Sequence, residues 1–204
     1  MGIVRLRFCR DGRTEPLRVI AGQYRSRPLR SLPGPDIRPT ADRLRETLFN
    51  VLTAGNPGAL EGSTWADLYA GTGSVGIEAL SRGAGKVYLV ESSAAAARLI
   101  RENLDSLQVT SGVEIMLTQV STGLRRLEAQ AVALDYVFLD PPYHKETEYR
   151  DTLVLLGKSS LLRDTTVVMA EHLKKFDPGE EFGSLRRYRN LVQSDATLSF
   201  YRRS

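Results

Sequence analysis

Tyr136 to Leu139 form a short apolar run of aromatic and branched side chains, and two consecutive prolines, Pro141 and Pro142, stop it abruptly. Such a run reads as a buried strand ending at Asp140. Neither proline offers an N–H, and Pro141 pushes Asp140 towards extended geometry. The Asp140 carboxylate, the neighbouring carbonyls and the ring of Tyr143 are therefore expected at the C-terminal edge of a sheet. In open α/β sheets that edge is where ligands bind. Acceptors beside an exposed aromatic suit a flat, amino-bearing ring such as a nucleobase. A strand followed by a plain proline-rich turn is the competing reading.

The surrounding chain alternates strand and helix. Strands are expected at 64–69, 86–90, 113–117 and 166–170, and helices at 75–81, 94–107, 123–131 and 148–156, with a terminal hairpin over 187–192 and 196–202. Repeated β-α-β units imply a mainly parallel sheet with helices on both faces. Upstream, residues 18–29 read as two short strands around Gly22, residues 31–39 as loop, and 41–52 as a helix capped by Thr40. Gly55-Asn-Pro-Gly58 ends that helix. The expected organisation is an N-terminal extension over 1–17, a basic hairpin, loop and helix over 18–59, and a main domain over 60–204.

Charge divides at nearly the same place. Residues 1–45 hold eleven arginines against four acids, a net +7, whereas the remainder carries seventeen basic and twenty acidic side chains, a net −3. A basic arm on a slightly acidic body points to a phosphate-rich partner. Twenty-three of the 28 basic residues are arginine, which favours forked phosphate contacts and stacking. The single cysteine, Cys9, excludes an internal disulfide framework, and with two histidines, His144 and His172, a structural metal cluster is not expected. His172 with Lys174 and Lys175 reads as a surface cluster. No apolar run approaches membrane-spanning length and no signal-peptide core is evident, so a cytoplasmic protein is expected.

Gly71-Thr-Gly73-Ser-Val-Gly76 matches G-x-G-x-x-G between a strand and a helix, and Glu91 ends the next strand. Glycines let a ligand approach the backbone, and a carboxylate after the second strand can bind a ribose diol. Dinucleotides and S-adenosylmethionine (SAM) both fit. Asp67, four residues before Gly71, favours SAM: it could meet a cationic amino group but would repel a pyrophosphate.

The stretch from Asp67 to Ala84 (DLYAGTGSVGIEALSRGA) resembles the D-L-F-A-G-[ST]-G-x-x-G-x-E-A-L-S-R-G-A signature of the RsmD family, bacterial small-subunit rRNA guanine-N2 methyltransferases. Arg18-Val-Ile-Ala-Gly22, the block from Arg38-Pro-Thr40 to Asn50, and Phe138-Leu-Asp-Pro-Pro-Tyr143 resemble that family's other blocks in the same order. The resemblance implies a Rossmann-like SAM-dependent methyltransferase fold carrying a small N-terminal basic extension. It also implies methyl transfer to the exocyclic N2 amine of a guanine in 16S rRNA, free or within a 30S particle. Gly71, Gly73 and Gly76 would line the methionine part of the cofactor, together with Tyr69, Ala70 and Thr72. Asp67 would face its amino group, Glu91 its ribose, and Arg38 and Thr40 would belong to a segment folding over it. Gln119 stands where the family usually has an acid for the adenine. Asp140, Pro141, Pro142 and Tyr143 would hold the base.

Asp140 and the Pro141 carbonyl are expected to accept the protons of the amine and turn its lone pair towards the methyl, with Tyr143 stacked on the ring. The target must then be splayed out or flipped. Arg25, Arg27, Arg30, Arg43 and Arg45 are the expected RNA contacts. Glu171 reads either as structural or as lining the base pocket. A DNA amino-methyltransferase uses the same chemistry, and a nicotinamide-dependent oxidoreductase or a non-catalytic nucleic-acid-binding protein are the rivals of other classes.

Overall fold

The computed structural model describes residues 17–31, 39–142 and 144–204. Arg38, Tyr143, Cys9 and the rest of the 1–16 extension lie outside them.

Five parallel strands build one half of an eight-stranded sheet: β1 (Thr64–Leu68), β2 (Lys86–Glu91), β3 (Val113–Leu117), β4 (Leu134–Leu139) and β5 (Leu162–Leu173). Three antiparallel strands, β6 (Glu181–Phe182), β7 (Leu185–Gln193) and β8 (Ala196–Arg203), complete it in the order β3-β2-β1-β4-β5-β8-β7-β6. The order reverses between β1 and β4, so a crevice opens where those two strands end. Leu68 pairs with Leu139 in register, which brings the glycine turn after β1 level with Asp140 after β4.

Strand side chains alternate between faces, and each face buries its own core. Trp65, Phe138, Met169, Leu198 and Phe200 pack on one face with α1 (Pro39–Thr53), α3 (Ala94–Ser106) and the 17–31 hairpin. Ala66, Val137, Leu139, Val168 and Tyr201 pack on the other with α4 (Val120–Ala129) and α5 (Glu146–Gly157). Val19, Leu29, Leu44 and Leu48 belong to the first core, so the basic arm and the body share one interior across the composition break at residue 60.

Several boundaries differ from expectation for local reasons. α1 starts at Pro39, whose fixed φ and missing N–H suit a first helical position; Thr40 therefore lies inside the first turn instead of capping it. The 18–28 hairpin forms a single bridge, Arg18 to Pro28, because its inner donors are taken by α2 (Ser74–Ser81). Ile20 and Ala21 donate their N–H groups to Glu78 and Gln23 donates to the Ser81 carbonyl. At Gly22 (φ +83°) an added Cβ would fall 1.8 Å from that carbonyl, so only glycine permits this approach. β5 runs well past 166–170, since β8 continues its pairing from Glu171 to Leu173. His172 rides on this extension and is buried, not part of a surface cluster; Lys174 and Lys175 are exposed. Its Nε2 meets the Ser199 hydroxyl at 2.8 Å, and burial lowers its pKa. Among the described residues no helix is long and apolar enough to cross a membrane.

Candidate functional site

The glycine turn is held from three sides. Ala70 donates to the Val90 carbonyl, and Gly71 donates to Glu91 Oε2 at 2.8 Å. The buried Asn103 of α3 donates to the Thr72 carbonyl at 3.0 Å. The same amide bonds both backbone groups of Arg30, tying hairpin, turn and α3 together. Asn103 had no motif to betray it; its only signal was a polar residue on an otherwise apolar helix face.

The glycines divide by role. Among the described residues, Gly71 (φ +54°) has open space where a side chain would be, with only the Tyr69 carbonyl 3.9 Å away. Gly73 adopts φ +75° at the N-cap of α2. Gly76 is buried, and an added Cβ would lie 2.3 Å from Leu89 and 3.0 Å from Val87. It serves close helix–sheet packing, so the open approach to the turn belongs to Gly71.

Asp67 supports the turn as well. It is 2% exposed and accepts the Gly76 N–H at 2.9 Å through Oδ2, bracing the turn from beneath. Burial pushes its pKa up to about 7; the Gly76 bond opposes this and the nearby Glu91 adds to it. Tyr69 has φ +66°, and its hydroxyl donates to Glu148 at 2.8 Å while meeting Thr152 at 2.7 Å. Its ring is therefore committed to α5, leaving its backbone to the turn. Glu91 is half-buried and holds the Ser93 N–H at 2.7 Å besides Gly71. Gln119 precedes α4, is exposed, and makes no capping bond with its side chain.

A cavity of about 90 Å³ opens between α1 and the sheet, lined by Leu44, Arg45, Ser74, Phe138, Asp140 and Glu171 among others. Leu139 pairs with Ala170, so Asp140 and Glu171 lie level with each other as β4 ends and β5 continues. The first turn of α2 contributes Ser74 and Val75. Gly73 gives α2 no side-chain cap and Asp67 takes the Gly76 N–H; the N–H groups of a helix's first turn suit an anion. Pro141 is buried, and its carbonyl accepts from the Tyr149 hydroxyl at 3.1 Å; Pro142 is exposed. His144 is an exposed turn residue.

The expected RNA contacts separate. Arg25 and Arg43 are exposed. Arg27 donates to the Ser106 carbonyl at 2.7 Å and Arg30 pairs with Glu102 at 2.8 Å, both at the surface. Arg45 is only 4% exposed and pairs with Asp42 at 3.0 Å, close to the fully buried Glu78. It is an interior ionic tie that also borders the cavity, not a member of a solvated basic face. Burial lowers its pKa against the opposing pull of Asp42 and Glu78. Glu78 in turn accepts from Arg82 at 2.6 Å.

A switch-point crevice bordered by a glycine turn on one strand and an acid-proline-proline motif on the next defines a Rossmann-like methyltransferase. The chain belongs to the family described as "Conserved hypothetical protein 95", the RsmD family, whose model matches residues 17–202. It is 35% identical over 155 residues to the "Ribosomal RNA small subunit methyltransferase D" of Haemophilus influenzae, covering 76% of this chain and 78% of that one. It is 32% identical to the protein of the same name from Escherichia coli, over 76% of this chain and 74% of the relative. A solved structure described as "Putative methyltransferase yhhF from Escherichia coli" superposes with a TM-score of 0.76 at 28% identity, over 92% of this chain and 98% of that one.

Proposed function

We propose that the protein transfers a methyl group from SAM to the exocyclic N2 amine of a guanine in 16S rRNA, in the cytoplasm and within an assembled or assembling 30S particle. The observation that carries the guanine reading is that Asp140 and Glu171 line the same cavity. Guanine presents N1–H and N2–H side by side, two neighbouring donors suited to two neighbouring carboxylates. Adenine and cytosine place a bare ring nitrogen beside the amine, and a second carboxylate would repel it.

The turn suits SAM. Gly71 leaves room for close approach, the α2 N-terminus offers N–H groups to a carboxylate, and each Glu91 oxygen keeps a further lone pair for a ribose hydroxyl. When bound, the sulfonium supplies an already activated methyl, so the residues need only prepare the nucleophile. Asp140 accepts a hydrogen bond from one N2–H and the second lone pair of the Pro141 carbonyl accepts one from the other, rotating the amine lone pair out of conjugation; Asp140 would take the proton that the methylated amine sheds. Glu171 accepts N1–H and fixes the ring. Alignment and electrostatics then carry the rate.

Radiolabelled SAM presented with naked 16S RNA, assembled 30S particles and duplex DNA tests this. The expected result is label on N2-methylguanosine in the RNA arms. Transfer to DNA alone would favour an amino-methyltransferase of adenine or cytosine and overturn the assignment.

A further inference from the structure

The β7–β8 hairpin carries five arginines and one acid, Asp195, between residues 185 and 204. Two of these arginines have carboxylate partners: Arg186 pairs with Glu181 at 3.2 Å, and Arg187 with Asp177 at 2.6 Å. Among the described residues, Arg189 and Arg202 have none, and both lie over aromatic rings. The Arg202 guanidinium carbon is 4.7 Å from the Tyr188 ring centre, and that of Arg189 is 6.0 Å from the Phe200 ring centre. Arg202 also stands directly opposite Arg186 in the antiparallel register, a like-charge pairing that costs stability.

Tyr188 occupies the extra position where the register shifts between Arg187 and Arg189. Bulges re-aim a side chain and recur beside functional surfaces. Here Tyr188 as a whole remains 47% exposed, its ring tilted at 55° to that of Phe200. An arginine-rich edge can simply discourage strand pairing, but that role needs neither an exposed aromatic nor opposed arginines on one face.

Phe200 and Leu198 share one face of the sheet, and Leu198 also borders the cavity that holds Asp140. From Leu198 to Arg202 along β8 is about 14 Å at the usual rise per residue. The platform therefore lies within the reach of a few nucleotides from the cavity.

We propose that Tyr188, Arg189 and Arg202, with Arg186, form a second RNA-contact surface. Tyr188 stacks on an unpaired base flanking the target, and the arginines hold the adjoining phosphates. The inference rests on the RNA-substrate reading above. The occupant is single-stranded RNA because stacking on one isolated ring needs a base free of its helix.

The test measures 16S RNA binding over a salt series, with methyl transfer in parallel, for wild type, Arg189→Gln/Arg202→Gln, Tyr188→Leu and Tyr188→Phe. Losing two phosphate contacts should lower the slope of log K against log salt by about 1.4. Tyr188→Leu should raise KM for RNA roughly tenfold at unchanged kcat, since stacking is worth about 1–3 kcal/mol, and Tyr188→Phe should restore it. SAM affinity by calorimetry should be the same in all four proteins. Variants that match an RNA-methylating wild type in KM and salt slope would overturn the platform while leaving the rRNA reading intact. A wild type that binds SAM but neither binds nor methylates RNA would overturn both. The double arginine variant changes only exposed side chains, so it carries the test should Tyr188→Leu fail to fold.

Discussion

The Tyr149 hydroxyl donates to the Pro141 carbonyl across 3.1 Å. This carbonyl is one of the two acceptors proposed for the amine, and the bond comes from α5, eight residues further along the chain. Tyr149 is fixed in turn by edge-on contact with His172 and by Phe176, with ring centres 6.4 and 5.2 Å away. Tyr149→Phe keeps that packing and removes only the hydroxyl. A neutral hydrogen bond is worth about 1 kcal/mol. The variant should therefore lose about fivefold in kcat with little change in SAM affinity and a melting temperature within a few degrees of wild type. A matching fall in SAM affinity would instead mean that the whole edge had moved.

The motif ends of the strands are legible in the sequence, because prolines and glycines at strand termini constrain backbone directly. Asp140 and the glycine turn do meet at one edge. Buried polar residues are not legible in the same way, for one shared reason: a sequence displays charge but not depth. Arg45 and His172 read as solvated because their types are usually exposed, yet each has interior partners supplied by residues 27 or more positions away. Asp67 stands at the right position relative to the turn for a ligand contact; only the helix packing reveals that one of its oxygens also holds the Gly76 N–H. The two-residue β6 and the Tyr188 bulge arise from pairing register, which no local pattern encodes.

Glu78 bolts the basic hairpin to the sheet. It is fully buried and accepts from Ile20, Ala21 and Arg82, with Arg45 nearby. Glu78→Gln removes the charge facing two arginines and turns an amide N–H towards backbone donors. Breaking such a buried network typically costs about 3–5 kcal/mol. The urea midpoint should fall accordingly, and hydrogen exchange at Ile20 and Ala21 should accelerate more than exchange in the core strands. A midpoint within error of wild type would show that hairpin and body are held by apolar packing alone.

Gly71 and Gly76 should fail in opposite ways. Gly76→Ala drives a methyl into Leu89 and Val87, and overpacking costs about 1–3 kcal/mol, so thermal stability should fall. Gly71→Ala meets no neighbour closer than 3.9 Å among the described residues and bears the left-handed strain of about 1 kcal/mol. Its methyl would instead stand where a ligand approaches. Calorimetry should show SAM affinity reduced at least tenfold for Gly71→Ala, with only a small loss of stability. Equal SAM affinity in Gly71→Ala and wild type would move the cofactor away from this turn.

Asp67 makes the fold sensitive to pH near neutrality. Burial raises its pKa from the ordinary 3.8 to about 7, so the folded state holds the proton more tightly than the unfolded chain. The stabilisation is fully present below the unfolded value and is lost as pH rises through the folded one. Across that window the Asp67 contribution should decline by up to about 1.4 kcal/mol per pH unit. Asp67→Asn retains an oxygen for the Gly76 N–H but has no proton to lose. The stability difference between wild type and Asp67→Asn, from urea unfolding at pH 5, 6, 7 and 8, should therefore shift steadily in favour of the variant and flatten above pH 7. A constant difference over the series would mean that Asp67 is ionised throughout. A cationic amino group bound close by would pull the pKa down again, so SAM binding at pH 6.5 should release protons, visible as a binding enthalpy that changes with the ionisation enthalpy of the buffer. That release should vanish in Asp67→Asn, and its persistence there would assign the proton to another group.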